Sequence, residues 1–188
     1  MKINANSIRP GNVLKHNNKL WVVAKIMHTQ PGKGGAYIQV EMKDIIEGTK
    51  LNERFRSSED VERAHLEEAD YQYLFTEGDF ITLMDLNTYE QITLNKDLVG
   101  DALVFLQDGM MIRVISNDNK VLSVELPEMA IYEISETEAV IKGQTAASSG
   151  KPAILENGVR VIVPQFMSSG EKVVVRISDG TYVERAKN

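Results

Sequence analysis

The chain has no cysteine and only three histidines, His16, His28 and His65. The first absence excludes disulfides, thiolate nucleophiles and cysteine-based zinc sites, and it fits a reducing compartment. The histidines show no metal-ligand spacing, so no metal is expected. Apolar runs are short: none approaches the roughly 18 residues that a membrane helix requires. The start, MKINANSIRPG, lacks the apolar core of a signal peptide. A cytoplasmic setting without a membrane partner is the expectation. Catalytic constellations are missing too. Glu67 and Glu68 are adjacent, so an extended segment cannot oppose them as an acid and base pair. Ser148 and Ser149 have neither a nucleophile-elbow pattern nor a histidine close in sequence. The chain reads as a protein that positions something, not as an enzyme, and it calls for no cofactor.

What is present is enough to fold: 43% of the 188 residues are hydrophobic. The net charge of −6 argues at first against a nucleic-acid partner. The average conceals a split. Residues 1–64 hold 11 Lys+Arg against 7 Asp+Glu, residues 65–130 hold 3 against 13, and residues 131–188 hold 7 of each. A basic first third joined to a middle of net −10 suits oriented docking on a charged surface.

Strand signals dominate. Asn12 to Lys15, an Asn17-Asn18 turn and Lys19 to Met27 read as a hairpin. In Tyr37 to Lys43, Tyr37, Gln39, Glu41 and Lys43 alternate with Ile38, Val40 and Met42, the mark of a half-buried strand. With Lys50 to Phe55 and Val61 to Leu66, five short strands suggest a strongly curled SH3-like barrel. The next third offers three strands, Tyr71 to Phe75, Phe80 to Met84 and Glu90 to Leu94. A helix follows, with Leu98, Ala102, Phe105 and Leu106 at helical spacing and Asn95 as N-cap, then the strands Met110 to Ile115 and Val121 to Leu126. That is the element order of an OB-fold. The last third is a second OB-like barrel. The expected architecture is all-β: three small barrels in an elongated row, residues 1–64, 65–129 and 130–188, spanning about 80 Å.

One stretch has composition of its own. In Gln30-Pro31-Gly32-Lys33-Gly34-Gly35-Ala36-Tyr37 a single cation sits among glycines and a proline, between two strands. Gly32, Gly34 and Gly35 permit positive φ and leave the backbone uncovered, Pro31 stiffens the approach, and Lys33 projects beyond the barrel. A phosphate-binding loop needs GxxxxGK, Ser or Thr, and a following helix. Here Met27 stands at the first glycine position, Gly34 follows Lys33 and a strand comes next. The remaining alternative is a solvated hairpin whose lysine only aids solubility, and spacing alone does not separate the two. The other cations of the first third, Arg9, Lys15, Lys19, Lys25, Lys43, Lys50, Arg54 and Arg56, suit either a phosphate-contacting face or a solvated one. Trp21, Tyr37 and Phe55 lie inside strand patterns and are expected in the core.

The PGKG tip with Ala36-Tyr37, the three-barrel order, Lys151-Pro152-Ala153-Ile154-Leu155, Val163-Pro164 with Phe166, and Gly180-Thr181-Tyr182-Val183-Glu184-Arg185 together resemble the bacterial translation elongation factor P family, over essentially the whole chain. The resemblance implies a KOW-type first barrel and binding to the ribosome, its RNA and proteins, between the peptidyl-tRNA and exit sites. It implies that the protein relieves stalling at consecutive prolines. Lys33, shaped by Pro31, Gly32, Gly34 and Gly35, is implied to approach the CCA end of peptidyl-tRNA. It is also the implied target of a lysine-modifying enzyme, as in β-lysylation. Gly143, Gln144 and Thr145 match the loop that approaches the exit-site codon of mRNA, with Gln144 where the family usually has Asp. Arg185 is the implied phosphate contact to tRNA, and a monomer is expected. Two alternatives stand beside this: a general RNA-binding or chaperone module using an OB surface, and a paralogue with a distinct ribosomal role. The first calls for exposed base-stacking aromatics and a basic middle unit.

Overall fold

The alternation along residues 37–44 decides which side of the chain meets water. Ile38, Val40, Met42 and Asp44 are buried, while Gln39 and Lys43 are exposed. The same rule repeated along neighbouring strands yields an all-β protein. The computed structural model describes residues 1–141 and 149–187. The first sheet comprises β1 (Lys2–Asn4), β2 (Val13–His16), β3 (Lys19–Thr29), β4 (Tyr37–Asp44), β5 (Lys50–Arg56) and β6 (Asp60–Ala64), in the order β1-β6-β2-β3-β4-β5. The second comprises β7 (Glu67–Glu77), β8 (Phe80–Asp85), β9 (Gln91–Asn95), β10 (Met111–Asn117) and β11 (Lys120–Glu125), in the order β11-β10-β7-β8-β9. The third comprises β12 (Met129–Thr137), β13 (Lys151–Leu155), β14 (Arg160–Val163), β15 (Lys172–Arg176) and β16 (Thr181–Arg185), in the order β14-β13-β12-β15-β16.

The chain packs as two compact units, residues 1–68 with 114–123, and residues 69–113 with 124–188, so the second sheet contributes to both. In the first unit one core gathers Leu14, Trp21, Val23, Ile38, Val40, Met42, Phe55 and Val61 from β2 to β6. Strands that far apart in the sheet share one core only if the sheet curls back on itself, as expected for a small barrel. Trp21 is buried and its indole Nε1 donates to the His16 carbonyl at 2.9 Å, so its one polar group is satisfied. The β2–β3 turn holds Asn17 at φ 51° and Asn18 at φ 59°, the left-handed pair of a tight hairpin turn.

Two expectations change. β1 was not foreseen; it adds a sixth strand by pairing antiparallel with β6. In place of the helix stand two short 3₁₀ turns, residues 96–98 and 100–105. Asn95 caps the first as expected, its Oδ1 accepting the Asp97 N–H at 2.9 Å. Gly100, at φ +65°, interrupts the helical path, and Leu106 returns to extended backbone. No α-helix occurs among the described residues, and no helix is long and apolar enough to cross a membrane.

The second unit is sealed by the segment after β9. The Tyr132 hydroxyl donates to the Phe105 carbonyl, the Gln107 amide to the Ile131 carbonyl at 2.7 Å, and the Asn157 amide to the Val104 carbonyl at 3.1 Å. The third sheet buries Tyr132, Ile134, Ala153, Leu155, Val161, Val163, Val173 and Val175 on one side.

Candidate functional site

β3 and β4 form the longest ladder of the first sheet, and Thr29↔Tyr37 is its last pair. Residues 30–36 connect them. Beyond that pair the chain leaves the sheet: Gln30 to Gly35 make no backbone hydrogen bond among the described residues, and Pro31, Gly32, Lys33, Gly34 and Gly35 are all exposed. The far root of the loop is held firmly. Ser57 N–H donates to the Ala36 carbonyl at 2.9 Å, and Asn6 N–H to the Ser57 carbonyl at 3.3 Å. The Glu59 carboxylate accepts the Arg56 N–H at 3.1 Å and braces the same turn. A free tip on a fixed root delivers whatever the tip carries to a defined place.

Lys33 sits at that tip, with no ion pair or hydrogen bond among the described residues. The strand β4 follows it, which confirms that this is no phosphate-binding loop. The glycines have a different meaning from the one their composition suggested. Gly32 and Gly35 are not in the left-handed region, and a Cβ at either would meet nothing within 4 Å. Gly34 differs: at φ +156° its backbone is one that side chains rarely adopt, although a Cβ there would make only an ordinary contact, 3.5 Å, with the ring of Pro31. The fold does not require glycine at Gly32 or Gly35.

Beside the root, Arg54 on β5 lays its guanidinium 3.4 Å from the centroid of the Tyr37 ring. Tyr37 therefore lies on the outer face of the sheet; the core position expected for it is corrected, while Trp21 and Phe55 are buried as expected. The alternation itself carried the signal, because Tyr37 is in phase with the exposed Gln39. Arg56, paired across from Tyr37, continues the cationic edge of a shallow groove that reaches Gly35 and Ala36. The eight-cation face does not act as one surface. Lys19 pairs with Glu47 at 2.7 Å and Asp44 at 3.5 Å, and Arg9 donates to the carbonyls of Asn6 and Ile8. Lys43 and Glu41 share the outer face of β4, as expected.

Asp44 holds the opposite end of β4. Burial alone would push its carboxyl up, but N–H donors from Glu47 and Ile46, at 2.8 and 2.7 Å, and the Lys19 ammonium outweigh that and hold it below the usual carboxylate range.

In the second unit, Gly143, Gln144 and Thr145 lie outside the described residues. The chain on either side is anchored. Thr137 Oγ1 donates to the Pro152 carbonyl at 2.9 Å, buried Lys151 donates through Nζ to the Glu138 carbonyl at 2.6 Å, and the Gln165 amide donates to the Ser149 carbonyl at 3.1 Å. Arg185 is engaged within the chain: it pairs with Glu171 at 2.8 Å and lies 5.1 Å from the Phe166 ring centroid. A phosphate there would share or displace that carboxylate. No group of three or more metal-ligating side chains occurs among the described residues.

Comparison with known proteins agrees with this arrangement. Residues 4–61 match the model of the elongation factor P KOW-like domain, 66–124 the elongation factor P OB domain, and 131–185 the elongation factor P C-terminal domain. The chain is 55% identical over 186 residues to an elongation factor P of Parvibaculum lavamentivorans, covering 99% of this chain and 100% of that one. It is 57% identical, with the same coverage, to an elongation factor P of Zymomonas mobilis. Among solved structures, the eukaryotic translation initiation factor 5A from Methanococcus jannaschii superposes with a TM-score of 0.55 at 26% identity, over 66% of this chain and 94% of that one. A factor of the same family from Naegleria fowleri, 18% identical over 67% of this chain and 98% of that one, has a TM-score of 0.55 and shares the fold.

Proposed function

Because the chain belongs to the elongation factor P family and is a translation elongation factor, we propose that it binds the ribosome between the peptidyl-tRNA and exit sites and speeds peptide-bond formation at consecutive prolines. Its working part is the β3–β4 tip, with Lys33 reaching the CCA end of peptidyl-tRNA. The observation that carries this reading is the pair of glycines, Gly32 and Gly35, whose lack of a side chain nothing inside the protein demands. A bare backbone that the fold does not need is explained by a close approach to something outside it. A cation at such a tip, aimed at an RNA terminus, can hold a poorly placed acyl ester in an attack-ready geometry. The gain is positional and electrostatic; the ribosome supplies the chemistry, and this chain acts without catalysis or cofactor of its own.

The same reading divides the chain into three functional parts, residues 1–64, 65–129 and 130–188, acting as a cytoplasmic monomer. Lys33, exposed and unpaired, is accessible to a lysine-modifying enzyme, and a β-lysyl-type extension would lengthen its reach. Gly143, Gln144 and Thr145 are proposed to meet exit-site mRNA, and Arg185 a tRNA phosphate. The test is Lys33→Ala in an extract depleted of the protein. Synthesis of a reporter with a proline run should slow by on the order of tenfold, about 1.4 kcal/mol of barrier, while a proline-free reporter is unaffected. Equal rescue by parent and variant would remove the role given to Lys33.

A further inference from the structure

The outer face of the second sheet carries two large aromatics that the fold leaves uncovered. β7 contains a bulge between Tyr73 and Phe75: Tyr73 pairs with Leu83, but Phe75 pairs with Thr82. Without the bulge, Tyr73 and Phe75 would share the inner face, because side chains two apart on a strand point the same way. With it, Tyr73 faces the core and Phe75 turns out beside Thr82. Phe80 lies on that same face, two residues from Thr82 along β8. Phe75 is 47% exposed and Phe80 52%, while Thr82 between them is reduced to 9%. The two rings therefore form one ledge over a shielded floor.

The surroundings of this ledge are acidic. Glu77 is the direct cross-strand partner of Phe80, and Asp79 stands in the turn just before it, three-quarters exposed and paired with Lys96 at 3.1 Å. Residues 65–130 as a whole carry net −10. Exposed aromatics on an OB-type sheet suit base stacking, but a nucleic-acid strand would bring phosphates into this field, and nucleic-acid grooves of that kind are positive. A protein segment bearing lysine or arginine reverses the sign. Its cations pair with Glu77 and lie over the aromatic faces, and its apolar stems cover the rings.

We propose that the Phe75–Phe80 face docks an extended, Lys/Arg-rich segment of a ribosomal protein. The proposal rests on the ribosome-binding reading above and adds a protein contact to it, through a different sheet from the one that carries Lys33.

The experiment uses the full chain with Phe80→p-benzoylphenylalanine, bound to purified 70S ribosomes and irradiated. Co-sedimentation reports ribosome binding, and mass spectrometry of the cross-linked digest reports the neighbour. The expected result is co-sedimentation with a cross-link to a lysine- or arginine-rich peptide of a ribosomal protein. In parallel, Phe75→Ser with Phe80→Ser should weaken ribosome binding about three- to tenfold with the far-UV spectrum unchanged. Co-sedimentation with cross-links to ribosomal RNA, to a second copy of this chain or to nothing overturns the protein-docking proposal and leaves ribosome binding standing. Unchanged affinity of the double variant overturns it too. Absence of co-sedimentation for the parent chain overturns both.

Discussion

Tyr132 donates its hydroxyl to the backbone carbonyl of Phe105 at 2.5 Å, and the two rings meet edge to face with centroids 5.9 Å apart. The pair joins β12 to the 3₁₀ turn of residues 100–105, and it is buried. Burial, and behind it the charge of Glu156, pushes the Tyr132 phenol up to about 12. Its proton is thus held more tightly in the folded chain than in the unfolded one, where a phenol titrates near 10.

The sign of the pH effect follows. Stability from this group is complete below about pH 10 and is lost as pH rises from about 10 towards 12, on the order of 2 kcal/mol in all. Tyr132→Phe removes that dependence. It also leaves the Phe105 carbonyl without its donor, at a cost of about 1–3 kcal/mol at pH 7. Urea melts of parent and variant at pH 7 and pH 11 check this: the gap between them should narrow at the higher pH, and a constant gap would contradict the assignment.

Asp44 titrates with the opposite sign. Its depressed carboxyl contributes stability above about pH 4, and that contribution is lost as pH falls through the lower folded value. Asp44→Ala should cost about 1–3 kcal/mol at pH 7 by stripping the acceptor from the Ile46 and Glu47 N–H groups. The parent should lose that margin as pH falls below the usual carboxylate range, and the denaturant midpoints of the two proteins should converge there.

Two glycines, both in connections between strands, should behave in contrary ways. A Cβ at Gly150 would sit 2.5 Å from the Val163 carbonyl oxygen and 2.7 Å from Ile162 Cγ2, so Gly150→Ala should destabilise by about 1–3 kcal/mol. Gly32→Ala meets nothing, so its melting temperature should match the parent within error while rescue of a proline-run reporter falls. A Gly32→Ala variant that rescues fully would show that the tip has room to spare.

Periodicity made most of this legible. The inward set Ile38, Val40 and Met42, the asparagine turns and the antiparallel pairing could all be read from alternation and turn chemistry. What stayed hidden has local causes. β1 is three residues long and offers no period to read, and β7 begins in the charged stretch Glu67 to Asp70, which alternation does not mark as strand. The expected helix failed at Gly100, where a positive φ is a backbone choice that apolar spacing does not register. Phe75 faces outward because a bulge shifts the period by one, which the sequence does not mark. The tip was visible because its composition is unlike that of its neighbours. The structure added that Gly32 and Gly35 answer to no internal constraint, and that Arg54 and Tyr37 stack beside its root.

The most direct measurement is an electron cryo-microscopy map of this protein on a ribosome stalled at consecutive prolines. The expected result is density for the β3–β4 loop running to the CCA end of peptidyl-tRNA, with the Lys33 ammonium within hydrogen-bonding reach of its terminal nucleotides, about 3 Å. A bound protein whose Lys33 points into solvent, away from that terminus, would contradict the proposed mechanism.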